Sequence, residues 1–224
     1  MFSRRYLKSF RRLKNRYIKK ELKNPFCPRR EIKSKGRIDM KQLKIPMSRV
    51  AVLIGHEGGT KRLIEEKTGA KVLVNSKTGD VTIYDEECAQ KDPLLPLKVE
   101  YIIKAIARGF SPENALLLLR DDMYFKMFDI RDYVGKHKTA QRRARGRVIG
   151  EKGRTREIIE ELTGVKVSVS GYSVSLIGDF ESLSVAEVAV DMLLHGARHS
   201  TVYSFLEKKR REAKLRRLKE WQDV

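Results

Sequence analysis

The stretch IGEKGRTREIIEELTGVKVSV, residues 149–169, has an earlier counterpart in the chain, IGHEGGTKRLIEEKTGAKVLV, residues 54–74. The two stretches lie 95 positions apart and align without a gap, with 12 of their 21 residues identical. Two copies of one supersecondary unit are the economical explanation of such a repeat. The 224-residue chain is therefore expected to form two small domains, each able to bury its own core.

Hydrophobic periodicity predicts the element order β-α-α-β-β-α for each copy. In both copies Thr-Gly ends the second helix, because glycine suits the left-handed conformation at a helix C-terminus. The elements of the first copy are a strand around Leu43, Ile45 and Met47, a helix at 48–54, the helix after the glycine turn, strands at 71–74 and 81–84, and a helix at 95–108. Those of the second are a strand around Phe128, Ile130 and Tyr133, a helix at 138–149, the helix after its turn, strands at 165–169 and 173–177, and a helix at 183–196.

The positive charge of the chain is concentrated in three places. The formal charge of +20 favours a polyanionic partner. Residues 1–39 contribute +12, residues 205–224 contribute +4, and residues 136–156 hold nine Lys/Arg against one acid. This distribution predicts a basic leader at 1–39, as a frayed helix or disordered segment, and a basic C-terminal helix at 201–224. A linking helix is predicted at 111–123, opened by Ser-Pro-Glu.

The apolar and cysteine content indicates the compartment. No run of about 18 apolar residues is present, which predicts a soluble, intracellular protein without a membrane partner, located in the cytoplasm. Cys27 and Cys88 lie 61 positions apart and match no metal-ligand spacing, so two free thiols are expected.

The two copies resemble the KH domain in its type I strand order. The resemblance rests on Ile before a G-x-x-G turn, an amphipathic helix, Thr-Gly and a Lys-Val strand, all occurring twice. The tandem is similar to the archaeal form of the ribosome-biogenesis family whose eukaryotic member is named Partner of NOB one. The runs that carry this similarity are KIPMSRVAVLIG at 44–55, TAQRRARGRVIGEKGRT at 139–155 and GARHSTVY at 196–203.

The resemblance covers residues 40–205, so the leader lies outside it and Met40 is an alternative start. It implies an α+β fold with two tandem type I KH domains, at 40–110 and 124–200. Each domain is expected to have a three-stranded antiparallel sheet with helices on one face.

The same resemblance implies the function. It implies a protein that binds single-stranded RNA and grips the 3′ end region of small-subunit rRNA during ribosome maturation. The implied protein partners are the α subunit of translation initiation factor two and the endonuclease that cuts near this 3′ end.

Three other functions stay open from the residues themselves. They are a translation-associated binder of mRNA or tRNA, a mainly protein-binding scaffold, and a processing enzyme. The enzyme is disfavoured because the acidic residues are dispersed along helices rather than clustered for Mg²⁺. No cofactor, metal site or catalytic set is expected, and His195 is expected to cap a helix C-terminus or to lie on the solvated surface.

The second copy is predicted to hold the principal RNA-binding site. A G-x-x-G turn presents backbone amides at a helix N-terminus to a phosphate, and its glycines let the nucleic-acid backbone approach. KH domains clamp about four nucleotides, here between the turn and the middle strand. The predicted RNA-binding residues are Arg142, Arg143, Arg145, Arg147, Val148, Ile149, Gly150, Glu151, Lys152, Gly153, Arg154, Lys166, Val167, Ser168 and Val169.

The first copy is predicted to make a weaker RNA contact or a protein contact. Its turn carries Glu57 where the second carries Lys152, and few basic residues surround it, so it attracts a phosphate less strongly. The residues of this weaker site are Ile54, Gly55, His56, Glu57, Gly58, Lys61 and Arg62.

Overall fold

The computed structural model describes residues 40–84, 92 and 94–222, which form two successive α+β domains. The basic leader at 1–39 and both cysteines lie outside the described residues. The predicted element order β-α-α-β-β-α is confirmed in both copies. The domain limits at 40–110 and 124–200 stay a prediction.

The first domain packs its helices on one face of a three-stranded sheet. Its strands are antiparallel in the order β1-β3-β2, with Tyr84 opposite both Met40 and Lys71. The central strand turns Val81 and Ile83 toward the helices, where both are fully buried. The elements are β1 (Met40–Lys44), α1 (Met47–Ile54), α2 (Gly59–Thr68), β2 (Lys71–Val74), β3 (Asp80–Tyr84) and α3 (Leu95–Ala107), with a 3-10 turn at His56–Gly58.

The second domain repeats this plan and adds a long C-terminal helix. Its strands are antiparallel in the order β4-β6-β5. Val202 and Leu206 of the last helix are buried in the core of this domain. The elements are β4 (Met123–Asp129), α5 (Arg131–Val134), α6 (Lys138–Ile149), α7 (Arg154–Thr163), β5 (Lys166–Ser170), β6 (Ser173–Asp179), α8 (Phe180–Leu194) and α9 (His199–Gln222), with a 3-10 turn at Glu151–Gly153.

The connection between the domains is shorter than the predicted helix at 111–123. Helix α4 spans only Pro112–Leu116, and one 3-10 turn, Leu117–Leu119, follows it. The Arg120 guanidinium then donates to both carboxylate oxygens of Asp122 at 3.0 and 2.7 Å, within the bend that precedes β4. The connection also belongs to the first domain, because Leu118 is buried in that domain's core.

The predicted lead-in strands are wrong at their C-terminal ends. Strand β1 ends at Lys44, and Pro46 precedes α1, so Met47 is helical. Strand β4 ends at Asp129, whose carboxylate accepts the backbone N–H of Arg131 at 2.9 Å. Such an Asp-mediated turn ends a strand, and it places Tyr133 in helix α5.

The two sheets differ in what covers their second face. In the first sheet none of the residues that the structure describes covers this face, and Leu73 of β2 is 53% exposed. In the second sheet the expectation of helices on one face only is incomplete, because Ile177 points away from α8 into the first domain's core. At the same interface, the Ser168 hydroxyl donates to the Arg108 carbonyl at 3.0 Å. The end of α3 therefore covers the second sheet from behind.

Candidate nucleic-acid interface

The second glycine turn joins α6 to α7 in an unusual backbone conformation. Gly150, Lys152 and Gly153 have φ angles of 76°, 50° and 87°. A Cβ atom on Gly150 would lie 2.6 Å from the backbone nitrogen of Thr155, whereas one on Gly153 would meet nothing within 4 Å. Gly150 is thus required by packing inside the protein. Gly153 leaves open space on the outside of the turn, where a ligand backbone can approach.

Helix α9 contacts both ends of this turn through its side chains. The Thr155 hydroxyl is buried and lies 2.9 Å from the hydroxyl of Tyr203. Nε2 of His199 lies 3.0 Å from the carbonyl oxygen of Arg147 at the end of α6. The sequence prediction placed neither Tyr203 nor His199 in the site, although both belong to the run GARHSTVY at 196–203. That run is the signal by which their role could have been found.

The first turn of α7 is the anion-attracting end of the site. No side chain hydrogen-bonds to this helix N-terminus, although its first turn contains one acid, Glu157. Its backbone amides therefore stay available to an anion, at the positive end of the helix dipole. Glu151, Lys152 and Arg154 surround it and are all exposed. Arg154 pairs only loosely with Glu157, at 3.9 Å.

The arginines of α6 divide between its two sides. Arg142, Arg145 and Ile149 follow one another at helical spacing on one side. Arg145 donates to the Gly171 carbonyl at 3.3 Å, so this side faces the turn between β5 and β6. Arg147 lies on the other side, beside α9, and Arg143 points to solvent. Val148 is fully buried and supports Ile149 from below.

The arginines Arg142, Arg143 and Arg147 keep their charge available. Among the described residues, no carboxylate lies within 4 Å of any of these three guanidinium groups. These three arginines therefore give the second domain positive charge that no carboxylate of the described residues neutralises.

The strand side of the cleft is an edge strand, not the middle strand that was predicted. The central strand of the sheet is β6, and in the described part of the chain no strand pairs with the other long side of β5. The outward N–H of Val167 donates to the Glu160 carboxylate at 2.7 Å. Backbone groups alternate in direction along an antiparallel pair, so the N–H and C=O of Val169 also face the free edge.

The side chains of β5 alternate between the two faces of the sheet. Val167 and Val169 pack toward the helices of the second domain, and Lys166 is exposed. Ser168 contacts the first domain through its bond to Arg108. Of the predicted strand residues, Val169 supplies backbone groups to the cleft, whereas the side chains of Ser168 and Lys166 lie on the other face of the strand.

Comparison with known proteins places this geometry in a family. Residues 124–211 match the eukaryotic type KH domain (KH-domain type I), and residues 40–89 match the KH domain. A KH domain-containing protein of Methanocaldococcus jannaschii is 45% identical over 179 residues, which are 80% of this chain and 78% of the relative. Dim2p of Pyrococcus horikoshii OT3 is 42% identical, with a TM-score of 0.70 over 76% of this chain and 99% of that one. This chain belongs to the Dim2 family of tandem KH-domain proteins.

A second solved structure contains a Dim2 protein with its ligands. It is a complex of a/eIF2alpha, aDim2p and rRNA from Pyrococcus horikoshii OT3, matched at 42% identity with a TM-score of 0.72. It covers 78% of the present chain and 95% of the matched one. The predicted family and the predicted fold class, two tandem type I KH domains, are both confirmed by these matches.

In this Dim2-family protein the first glycine turn has the same backbone as the second. Gly55, Glu57 and Gly58 have φ angles of 76°, 49° and 79°. The cations beside the first turn differ from those beside the second, because they are bonded to other groups of the protein. The Arg62 guanidinium donates to the Glu57 carbonyl, and Lys61 lies 3.8 Å from the Glu65 carboxylate.

Arg49 is the third cation near the first turn, and it has a structural role. Its guanidinium donates to the carbonyls of Ile106 and Phe110, at 2.8 and 2.6 Å, and so ties α1 to the end of α3. Burial lowers the pKa of Arg49 from its ordinary value. The first domain thus offers a phosphate less positive charge than the second.

Three further observations concern membrane-spanning helices, metal-binding groups and His195. Within 40–84, 92 and 94–222, no helix is long and apolar enough to cross a bilayer, and no group of His, Cys, Asp or Glu side chains is arranged to hold a metal ion. Nδ1 of His195 lies 2.9 Å from the Asp191 carbonyl at the end of α8, as expected of a capping residue.

Proposed function

We propose that this protein is an assembly factor that binds single-stranded RNA and grips the 3′ end region of small-subunit rRNA during ribosome maturation. The observation that carries the proposal is the second glycine turn, which is open above Gly153 and follows a helix whose Arg142, Arg143 and Arg147 have no carboxylate partner among the described residues. Support for rRNA as the target comes from the Pyrococcus complex, in which a Dim2 protein is bound to rRNA.

The cleft between the second glycine turn and β5, called the second cleft, would bind the RNA backbone at one side and the bases at the other. A phosphate lies against the amides of α7 above Gly153, where Lys152 and Arg154 add charge. The bases turn away from the phosphates toward the half-buried side chain of Ile149. The free N–H and C=O of Val169 can then pair with one base edge. Arg142 and Arg145 line the same cleft and favour binding of a polyanion.

The first domain would contribute mainly a protein contact. Its turn has the KH backbone but directs Arg49, Lys61 and Arg62 to groups of the protein. The proposed protein partners of the chain are the α subunit of translation initiation factor two, present in the Pyrococcus complex, and the endonuclease that acts near the rRNA 3′ end. The same arrangement of the first turn is compatible with the alternative functions, a translation-associated mRNA or tRNA binder and a protein-binding scaffold.

The protein would act in the cytoplasm as a binder rather than as an enzyme. Two of the carboxylates nearest the second turn are engaged with the protein: Glu157 pairs with Arg154, and Glu160 accepts the N–H of Val167. Several fungal relatives are named pre-rRNA-processing proteins, which supports a role in rRNA maturation.

The proposal is tested by binding to a short RNA copied from the 3′ end of small-subunit rRNA. The variant carries Glu151→Asp and Lys152→Asp, which place negative charge where the phosphate would lie. Both side chains are exposed, and Asp tolerates the left-handed conformation at position 152, so the fold should be kept. We expect a loss of affinity of at least tenfold, because the variant adds repulsion and removes one cation contact.

The matched control is the same change in the first turn, His56→Asp with Glu57→Asp. It should reduce RNA affinity by less than threefold, since that turn carries little positive charge around it. A scrambled RNA of equal length measures the sequence-independent part of binding. Equal binding of both RNAs by the intact protein would refute recognition of the rRNA 3′ end. Equal losses from the two turns would refute the division of labour between the domains.

A further inference from the structure

The turn between β5 and β6 carries an exposed tyrosine beside the second cleft. Tyr172 is 50% exposed and follows Gly171 in this turn. The carbonyl of Gly171 accepts a hydrogen bond from the Arg145 guanidinium at 3.3 Å. The turn therefore lies against α6 about one helical turn before the glycine turn begins. Tyr172 lies outside the repeated stretch, which ends at Val169, so the repeat gives no indication of it.

The ring of Tyr172 is fixed in place by the residues that follow β4. The Arg131 guanidinium lies over the ring, 5.3 Å from its centroid. Asp129 holds this guanidinium with two carboxylate contacts, at 2.9 Å to Nε and 2.5 Å to Nη2. The backbone is held as well, because the N–H of Ile130 donates to the Tyr172 carbonyl at 2.8 Å. A ring that is already ordered loses little entropy when a ligand stacks on it.

The position of the ring suits a base next to those held in the cleft. Tyr172 lies three residues after Val169, in the two-residue turn between the end of β5 at Ser170 and the start of β6 at Ser173. The ring therefore lies beyond the end of the strand, next to the strand positions that face the cleft. Arg131 covers one face of the half-exposed ring, and a base on the other face would complete a stack of guanidinium, ring and base.

We propose that Tyr172 is a stacking platform for a single-stranded nucleobase adjacent to the four nucleotides of the second cleft. The inference rests on the proposed function, because it extends the same RNA-binding site by one nucleotide. Every base has a π-face, so the contact tolerates any base. It adds affinity without adding sequence specificity, in contrast to the base-edge contact at Val169.

The test is an abasic scan of a nine-nucleotide RNA copied from the 3′ end of small-subunit rRNA, with the full chain and three variants. In each RNA one base is removed while its sugar and phosphate stay. The variants are Tyr172→Ala, Tyr172→Phe and the control Tyr124→Ala. Tyr124 is 49% exposed, almost the same as Tyr172, but it lies on β4 at the opposite edge of the sheet.

On intact RNA, Tyr172→Ala should raise Kd roughly 5- to 150-fold, the range found when one base-stacking aromatic is removed. Tyr172→Phe keeps the ring and should stay within about twofold, as should Tyr124→Ala. The decisive result concerns one position next to the four cleft nucleotides. There, removal of the base should weaken binding by the intact protein but not by the Tyr172→Ala variant.

Two outcomes would overturn the platform while the proposed function stands. In the first, Tyr172→Ala binds intact RNA as tightly as the unchanged protein. In the second, it binds more weakly but remains sensitive to base removal at every position, which is the result expected if Tyr172 only supports the fold. If the unchanged protein does not prefer the rRNA sequence over a scrambled one, the proposed function itself fails.

Discussion

Gly150 and Gly153 are needed in the second turn for different reasons, and an alanine substitution at each position should show the difference. Gly150→Ala would push a Cβ against Thr155 and should destabilise the protein by about 2–4 kcal/mol, from overpacking and a positive φ together. Gly153→Ala meets open space and should cost only about 1 kcal/mol, from φ alone. Its methyl group would stand where a phosphate approaches, so RNA affinity should fall although the fold persists. Urea unfolding and RNA titration of both variants measure these effects, and comparable stability losses would contradict the assignment.

Residue-level prediction succeeds where the reason for a residue is local. The glycine turn, its neighbouring arginines and Ile149 follow from the repeated stretch, because helix, turn and helix are encoded in adjacent residues. Ser168 does not, since its environment is supplied by Arg108, 60 positions away in the chain. At the corresponding position of the first domain, Leu73 is exposed although it is apolar. Burial at this position depends on a neighbouring domain that neither copy's own sequence indicates.

At the scale of elements, one ion cluster ties β1 to α3. The Glu100 carboxylate lies 3.3 Å from Nζ of Lys41 and 2.5 Å from Nζ of Lys104. Partial burial alone would raise the pKa of Glu100, but hydrogen bonds and charges from Lys104 and Lys41 outweigh it and hold this pKa below its ordinary value of 4.5. The stabilisation from Glu100 is therefore complete above the ordinary pKa and is lost as the pH falls through the lower folded value.

This cluster predicts a pH-dependent effect of Glu100→Gln. The variant should lower the free energy of unfolding by roughly 1 kcal/mol at pH 7, since both neighbouring lysines lose their counter-charge. Below the folded pKa of Glu100 the two proteins should be equally stable, because the native carboxyl is then uncharged too. Urea unfolding at pH 7 and in strong acid measures the difference. Glu66→Gln, an exposed acid on α2, is the control, and an equal effect of Glu100→Gln at both pH values would contradict the account.

Element order was predictable and element ends were not. Periodicity identified the helices and strands of both copies, since an apolar face repeats along each one. Two of the errors fall where polar side chains bond to the backbone or to each other over two residues, as Asp129 does with Arg131 and Arg120 with Asp122. Such contacts end or bend an element without changing the hydrophobic pattern, so the linking helix and the fourth strand were drawn too long.

At the scale of the whole molecule, the second sheet is shared between the two domains. Ile177 belongs to β6 but is buried in the first domain's core, so Ile177→Ala should cost about 2–5 kcal/mol. The loss should appear as one unfolding transition shifted as a unit, because each domain supports the other at this residue. Leu73→Ala, on the open face of the first sheet, should change stability by less than about 0.5 kcal/mol. This coupling would be contradicted if calorimetry of Ile177→Ala resolved two unfolding transitions and only the transition of the second domain were shifted.

The carboxylates that bond to the edge strands have a further consequence for the protein at high concentration. Glu65 accepts the N–H of Val72 at 2.8 Å in the first domain, just as Glu160 does for Val167 in the second. An edge strand with free backbone groups can recruit a strand from another molecule and begin an aggregate. Here each sheet closes part of that edge with a charged side chain from its own helix. The two glutamates that bond to the edge strands therefore also help to keep separate copies of the chain from joining sheet to sheet.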